Sequence, residues 1–336
     1  MSRFLKRFFL FLVLSLGIAS GADRLISHGL KSLKSGEFGT WSDIYHGRID
    51  SELIVVGSSR AMVHVSPAIL SQHLGVSVYN LGHNGQHFPM QRVRFQELLK
   101  FNRSPSWVVQ TVDITSLHDR QTVFQYEQFL PWFDQSTLID AVAHYEGFDL
   151  FDPWLPMYRY RGRGELALTG LSLALGWMTS DYDRNRGYMG RDLDWDGAFD
   201  DFAKLNAGGF NVPIDRAVES SMDEFLAQQT HDGIRWVMVF TPEYRPGQRL
   251  CRNRSDVINR LRTIAKRNGA VFLDYSEDPI CLDKSLFYNS QHLNRRGAEQ
   301  FSLNLANRLK TLGEAAGSEG GPPVSIPASQ VPDALQ

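Results

Sequence analysis

Cysteine is nearly absent: Cys251 and Cys281 are the only two in 336 residues. One pair cannot staple a small fold or build a thiolate-rich zinc site. In an exported chain the pair reads as one structural disulfide, since both lie in the same C-terminal segment and each follows an expected strand. Two free buried thiols are the alternative. No cysteine and histidine spacing suggests a metal cluster, and nothing calls for an organic cofactor. An excess of one charge is also missing: 35 basic against 37 acidic residues leave a net −2. Without a basic face or an acidic tail, a nucleic-acid partner is not expected. No internal repeat is visible.

What is present is a 43% hydrophobic chain, enough for a large core, at a length that one α/β domain with an insertion absorbs. Arg3, Lys6 and Arg7 precede a charge-free run over 8–19, the layout of a secretory signal or a signal anchor. Ser20-Gly21-Ala22 offers a small-x-small cleavage site. The run is short for a span of about 20 residues, although Phe4 and Leu5 lengthen it. A helical pattern (Leu25, Ile26, Leu30, Leu33) continues beyond it without a break, which favours an anchor over cleavage; a buried N-terminal helix is the remaining alternative. The basic flank keeps the N-terminus cytoplasmic. The expectation is therefore an inner-membrane protein with one N-terminal anchor and its main domain periplasmic or otherwise extracytoplasmic.

Beyond the anchor the chain alternates. Short apolar runs rich in branched residues at 53–56, 76–81, 107–112, 236–240 and 271–273 read as strands covered on both faces. Helical patterns at 67–73, 90–101, 214–229, 257–268 and 295–312 lie between them. The alternation implies an α/β fold, a parallel sheet with helices on both faces. The expected organisation is an anchor or signal peptide over 1–22, a helical stem over 23–50, and an α/β domain in two parts, 51–115 and 212–314. A largely helical insertion over 116–211 separates the parts, and a disordered Gly/Pro/Ser/Ala-rich tail occupies 315–336. The insertion is crowded with aromatics, most of them expected in a core, and is placed to cap a cleft. Within it 166–177 reads as an ordinary buried helix, with membrane contact as the other option.

Three loops at strand ends carry chemistry. Gly57-Ser58-Ser59-Arg60 leaves the first strand, and ligands of open parallel sheets bind beyond the carboxyl ends of the strands. Ser59 is thus presented to a cleft, and a helical turn after it aims free N–H groups at the same place. The bland reading is a strand-to-helix loop with a capping serine. Asn80-Leu81-Gly82-His83-Asn84-Gly85 leaves the next strand, where a glycine N–H and an asparagine amide suit a developing oxyanion. His83 and, just beyond, His87 flank Gly85 and could line the cleft, with a surface or structural role favoured for each. Asn289-Ser290-Gln291-His292 precedes the last helix. A histidine titrating near neutrality there suits proton transfer to and from Ser59.

These three motifs, with Leu293-Asn294 and Gly297-Ala298 after His292, resemble the SGNH (GDSL-like) hydrolase superfamily, and within it the membrane-anchored extracytoplasmic branch of polysaccharide O-acyl transfer and esterase proteins. The likeness covers about 50–115 and 232–312, not the insertion. It implies a flavodoxin-like three-layer sandwich, Ser59 as nucleophile, His292 as general base and Gly85 as the oxyanion glycine, with no cofactor. Partners implied are an acylated polysaccharide or acyl donor, and a membrane-bound acyltransferase. Two departures stand out. The family's aspartate three residues before the histidine is Asn289 here, which orients the ring without stabilising an imidazolium; Asp278 or Asp283 would supply charge only if their loop folded back. The family's asparagine after the third strand is missing from Val112-Asp113-Ile114-Thr115-Ser116, leaving Thr115, Ser116 or Asn84 to compensate.

Arg60 has two readings, a grip on an anionic substrate group or a partner for a nearby carboxylate. Asp192-x-Asp194-x-Asp196-Gly197 opens like a calcium loop but has Ala203 where a bidentate glutamate belongs, so it reads as a solvated turn. The expected function is a serine esterase or O-acyltransferase acting on a cell-envelope or extracellular polysaccharide. The alternative is a catalytically inactive glycan-binding or scaffold relative, and a third hypothesis is a solute-binding domain in which Ser59 and His292 lie apart.

Overall fold

The computed structural model describes residues 2–318, so the tail beyond Ser318 lies outside the described residues. Along the chain run α1 (Ser2–Lys31), α2 (Gly36–Tyr45), β1 (Leu53–Val56), α3 (Ser59–His64), α4 (Pro67–Leu74), β2 (Val78–Asn80), α5 (Phe88–Phe101) and β3 (Trp107–Val112). Helices α6 (Ser136–Val142), α7 (Gly164–Ala174), α8 (Ala198–Leu205) and α9 (Arg216–His231) follow. The chain ends with β4 (Arg235–Phe240), α10 (Arg245–Gln248), α11 (Arg254–Arg267), β5 (Val271–Asp274), β6 (Phe287–Asn289), β7 (His292–Leu293) and α12 (Arg295–Ser318).

The branched apolar runs form a five-stranded parallel sheet in the order β2-β1-β3-β4-β5. Leu53 is in register with both Val78 and Trp107, and Val237 with Val271. Each residue of β1 is buried, as a strand without a polar face must be. The order reverses beside β1, which puts its carboxyl end at a switch point where open α/β sheets bind ligands. Helix α12 packs on α3 and α4: Ser66 N–H donates to Ser302 Oγ (2.9 Å), and Phe301 and Leu305 are fully buried with Val55 and Val109. Each such side chain contributes about 1.5–3 kcal/mol.

The chain divides into two compact units. The sheet, α3, α4 and everything from Asn185 onward belong to one (50–83, 103–118 and 185–336); the other comprises 1–49, 84–102 and 119–184. This second unit contains no strand of the sheet. Its core is aromatic, with Trp132 stacked on Tyr45 (ring centroids 4.4 Å) and Phe129 edge-on to Trp41 (5.8 Å). Buried Glu37 accepts from Arg94 (2.6 Å) and Arg184 (2.8 Å), so its charge is paired twice.

Three expectations need correction. The stretch 116–211 is not largely helical: α6, α7, α8 and two 3-10 turns are joined by long irregular segments, with breakers at Pro153, Pro156, Gly162 and Gly176. The helix expected to be buried at 166–177 is not: Gly170 is the one buried residue of α7. It touches α1 backbone to backbone, so closely that a Cβ at Gly29 would stand 1.8 Å from the Gly170 carbonyl oxygen. The disulfide is absent too, since Cys251 and Cys281 are free and buried. Their thiols face different local oxygens, Asn253 Oδ1 (3.5 Å) and Tyr275 O (3.3 Å), and burial pushes the Cys281 thiol up to about 11.

Helix α1 is long and apolar enough to cross a membrane. Most of its apolar side chains before Ile18 are exposed; from Asp23 on, one face is covered by its own unit.

Candidate active site

Gly57 turns the chain from β1 into α3 where no other residue fits. Its φ is +151°, and a Cβ there would lie 2.0 Å from Thr111 Oγ1 of neighbouring β3. Ser58 caps α3, accepting from Arg60 N–H (3.4 Å) and donating to Asp113 Oδ2 (3.1 Å). Ser59 is therefore the first residue of a helix, in the turn whose N–H groups have no intrahelical acceptor.

The hairpin of β6 and β7 supplies the histidine. Asn289 Oδ1 accepts the backbone N–H of Gln291 and of His292, each at 3.0 Å. Of the two ends of a side-chain amide only the oxygen accepts from N–H, so these two donors fix which way the amide points. The same oxygen lies 3.0 Å from His292 Nδ1, so Nδ1 carries the ring proton and Nε2 is left as an acceptor. Ser59 Oγ stands 2.8 Å from that Nε2 and donates to it. The ring is braced by Tyr288, stacked on it at 5.4 Å and 5°, and by the edge of His64 at 6.1 Å. His64 Nε2 accepts from Leu293 N–H (3.0 Å), tying α3 to β7.

Burial, with the guanidinium charges of Arg60 and Arg191, holds His292 down at about 4, against the opposing pull of Asp113. Burial, then His292 and Arg60, lowers His64 as well. Both rings are neutral at pH 7, the state a proton acceptor needs.

Arg60 is turned inward. It is 4% exposed, pairs with Glu243 Oε1 (2.5 Å) and stands 3.9 Å from Asp113 Oδ2. Glu243 is shared with Arg254. Of its two readings, the carboxylate partnership is the one realised.

The other named residues are distributed as follows. Asp278 and Asp283 do not fold back to His292; each caps a 3-10 turn, accepting from Ile280 N–H and Ser285 N–H at 2.9 Å. Thr115 donates twice to Asp113 Oδ1 (2.7 Å each), and Ser116 Oγ accepts from Asp113 N–H (2.8 Å), so both close the turn after β3. Asn84 and Gly85 belong to the helical unit. There Asn84 N–H donates to Glu37 Oε1 (3.2 Å), and Gly85 has φ +66° with Phe124 filling the place of a Cβ. Asp192 pairs with Arg295 at 2.7 Å.

Sequence reasoning missed three supports. Asn80 donates to the carbonyls of Ala61 (2.7 Å) and Val65 (2.8 Å) and accepts from Gly82 N–H (2.8 Å), pinning α3 beside the loop after β2. The signal was an asparagine closing an apolar strand. His64 and Glu243 gave none, because their partners are distant in the chain. A groove of about 800 Å³ is lined by Phe287 of the hairpin and Asn294 just after it, with Arg191, Trp195 and Lys284. No protein-family model matches the chain, and no curated protein is significantly similar to it.

Proposed function

We propose that the chain is a serine esterase or O-acyltransferase of SGNH-like, flavodoxin-like layering, acting on acyl groups of a cell-envelope or extracellular polysaccharide. It would be held at the inner membrane by α1 with the sheet domain outside. The observation that carries the reading is the Ser59 Oγ to His292 Nε2 hydrogen bond of 2.8 Å, with the tautomer set by Asn289. A hydroxyl paired with the lone pair of a neutral imidazole at a strand end is arranged for acyl transfer. The strand order 2-1-3-4-5 supports the layering, and the length and apolarity of α1 support the anchor. The basic residues before the apolar run support the orientation.

In the proposed reaction Ser59 Oγ attacks the acyl carbonyl carbon as its proton passes to His292 Nε2. The Ser59 N–H, free in the first helical turn, donates to the oxyanion. Collapse expels the alcohol, which takes the proton from His292, and leaves the acyl group on Ser59. Water or a sugar hydroxyl then gives its proton to His292 and takes the acyl group, restoring the serine. The groove supports a sugar chain as the bound polymer, since Arg191, Lys284 and Asn294 offer donors to sugar hydroxyls along it. A membrane-bound acyltransferase is the proposed source of acyl groups.

A second reading is an inactive glycan-binding or scaffold relative. One observation favours it: His292 leans on an amide where a carboxylate would hold the imidazolium, and its ring is a weak base at about 4. Fluorophosphonate labelling separates the two. The enzyme predicts a covalent adduct on the folded wild-type chain, lost in Ser59→Ala and in His292→Ala. Absence of any Ser59-dependent adduct would leave the binding protein.

A further inference from the structure

Helix α1 carries the geometry of a boundary. Residues 8–22 hold no charge, and at 1.5 Å per residue they reach about 22 Å, so Phe4 and Leu5 are needed to approach a hydrocarbon thickness of ~30 Å. Asp23 and Arg24 end the uncharged run and mark where α1 would leave the apolar layer. A loop of the same unit is tied to α1 at that level. Met157 N–H donates to Asp23 Oδ2 (2.9 Å), Arg159 pairs with Asp23, and Ser27 Oγ meets Tyr160 OH (2.8 Å). Trp154 and Leu155 line a cavity of about 500 Å³ together with Ser20, Asp23 and Arg24 of the helix.

This loop inverts the usual arrangement of a protein surface. Its Asp152 is 3% exposed and is held by Asp149 N–H and Arg161, while Leu150 is 79%, Phe151 54% and Trp154 77% exposed. Aspartate inside and tryptophan outside is costly in water. Helix α7 does the same: it meets α1 through Gly170 and leaves Leu168 64% and Leu175 43% exposed, with Trp177 at 75% just beyond. Both apolar surfaces belong to elements packed on the outer part of α1. Tryptophan is the side chain that settles where hydrocarbon meets headgroups, and exposed Arg24 stands ready for lipid phosphates.

We propose that the loop 150–155 and the N-terminal turns of α7, with Leu168, form a membrane-seating surface, lying in the interfacial layer of the bilayer that α1 crosses, with Trp154 among the headgroups. The inference rests on α1 being the anchor proposed above. The occupant is lipid because both patches continue the lipid-facing run of the same helix. The seat makes α1 a fixed mast for its unit instead of a loose tether.

The test uses the full chain in phosphatidylcholine and phosphatidylglycerol vesicles. Because both native thiols are buried, an environment-sensitive dye can be attached to a single introduced cysteine: Val13→Cys in the span, Leu150→Cys in the loop or Leu168→Cys in α7. The loop and α7 side chains are exposed, so neither change removes a core contact. Lipid carrying a doxyl group should quench the labels at 150 and 168 at least half as strongly as the label at 13, and aqueous iodide should spare all three. Lipid quenching at 13 with iodide quenching at 150 and 168 overturns the seat and leaves the anchor. Iodide quenching at 13 overturns the anchor itself. Protection from iodide without lipid quenching at 150 and 168 points to a second copy of the chain and also overturns the proposal.

Discussion

Two neighbouring layers of the sheet unit treat charge in opposite ways. At the edge, Ser59, His292 and Asn289 are a hydroxyl, a neutral imidazole and an amide joined by hydrogen bonds of 2.8 and 3.0 Å. Behind them Arg60, Glu243, Arg254 and Asp113 are charged and largely buried. Ser59 and Arg60 are consecutive, and the helix sends their side chains about 100° apart. The carboxylates that an imidazolium would use are therefore close by, but they are spent on arginines. Charge lies behind this edge in paired form, while the groups at the edge itself are neutral dipoles.

The comparison breaks first if the ionic layer does not hold anything. Glu243→Ala would leave Arg60 buried with only Asp113 at 3.9 Å. Removing one partner of a buried pair costs about 3–5 kcal/mol, so urea unfolding in detergent should show a loss of that size, with Glu243→Gln in between. A loss below about 1 kcal/mol, the worth of a surface pair, would mean that the cluster is solvated and the contrast false.

The parts of this contrast were unequally legible in the sequence. Strands β1 and β3 stand where the branched runs put them because they are buried along their length, so every residue carries the signal. Ser59, His292 and Asn289 could be named because strand ends of a parallel sheet converge on one edge. Arg60 could not be placed: a lone arginine in a loop looks like surface charge until a distant glutamate is known to meet it. Arg94 of the helical unit, 1% exposed against Glu37, hides in the same way. His64 acts through a backbone group of another element, which no local pattern encodes. For the thiols and α7 composition was legible and geometry was not. Two cysteines in one segment do not fix their directions, and an apolar helix does not say what covers it.

A second challenge is acid. The folded chain holds His292 at about 4 and His64 low, whereas an unfolded histidine titrates near 6.5. Between those values the unfolded chain binds more protons, so stability rises with pH there. The contribution is fully present above pH 6.5 and is lost as pH falls towards 4; for His292 it is about 3 kcal/mol at most. Unfolding midpoints compared at pH 7 and pH 4.5 should fall further for the wild type than for His292→Gln. Equal falls would show that the ring is solvated and already free to ionise, and the neutral edge would lose its physical basis.

The finest test changes one atom. In Asn289→Asp the oxygen that receives Gln291 N–H, His292 N–H and His292 Nδ1–H is kept, so the turn and the tautomer survive while a full negative charge arrives 3.0 Å from the ring. That charge favours the imidazolium and should raise the His292 titration by at least ~1 unit, worth about 1.4 kcal/mol. A stronger base draws the Ser59 proton more readily, so the rate of Ser59 labelling at pH 7 should rise about tenfold. NMR titration of the ring and labelling kinetics read the two effects separately. A raised titration with an unchanged rate would mean that proton transfer from Ser59 does not limit the reaction, and the amide at 289 would then be a structural choice. A raised titration with a faster rate would show an edge kept neutral at the expense of speed.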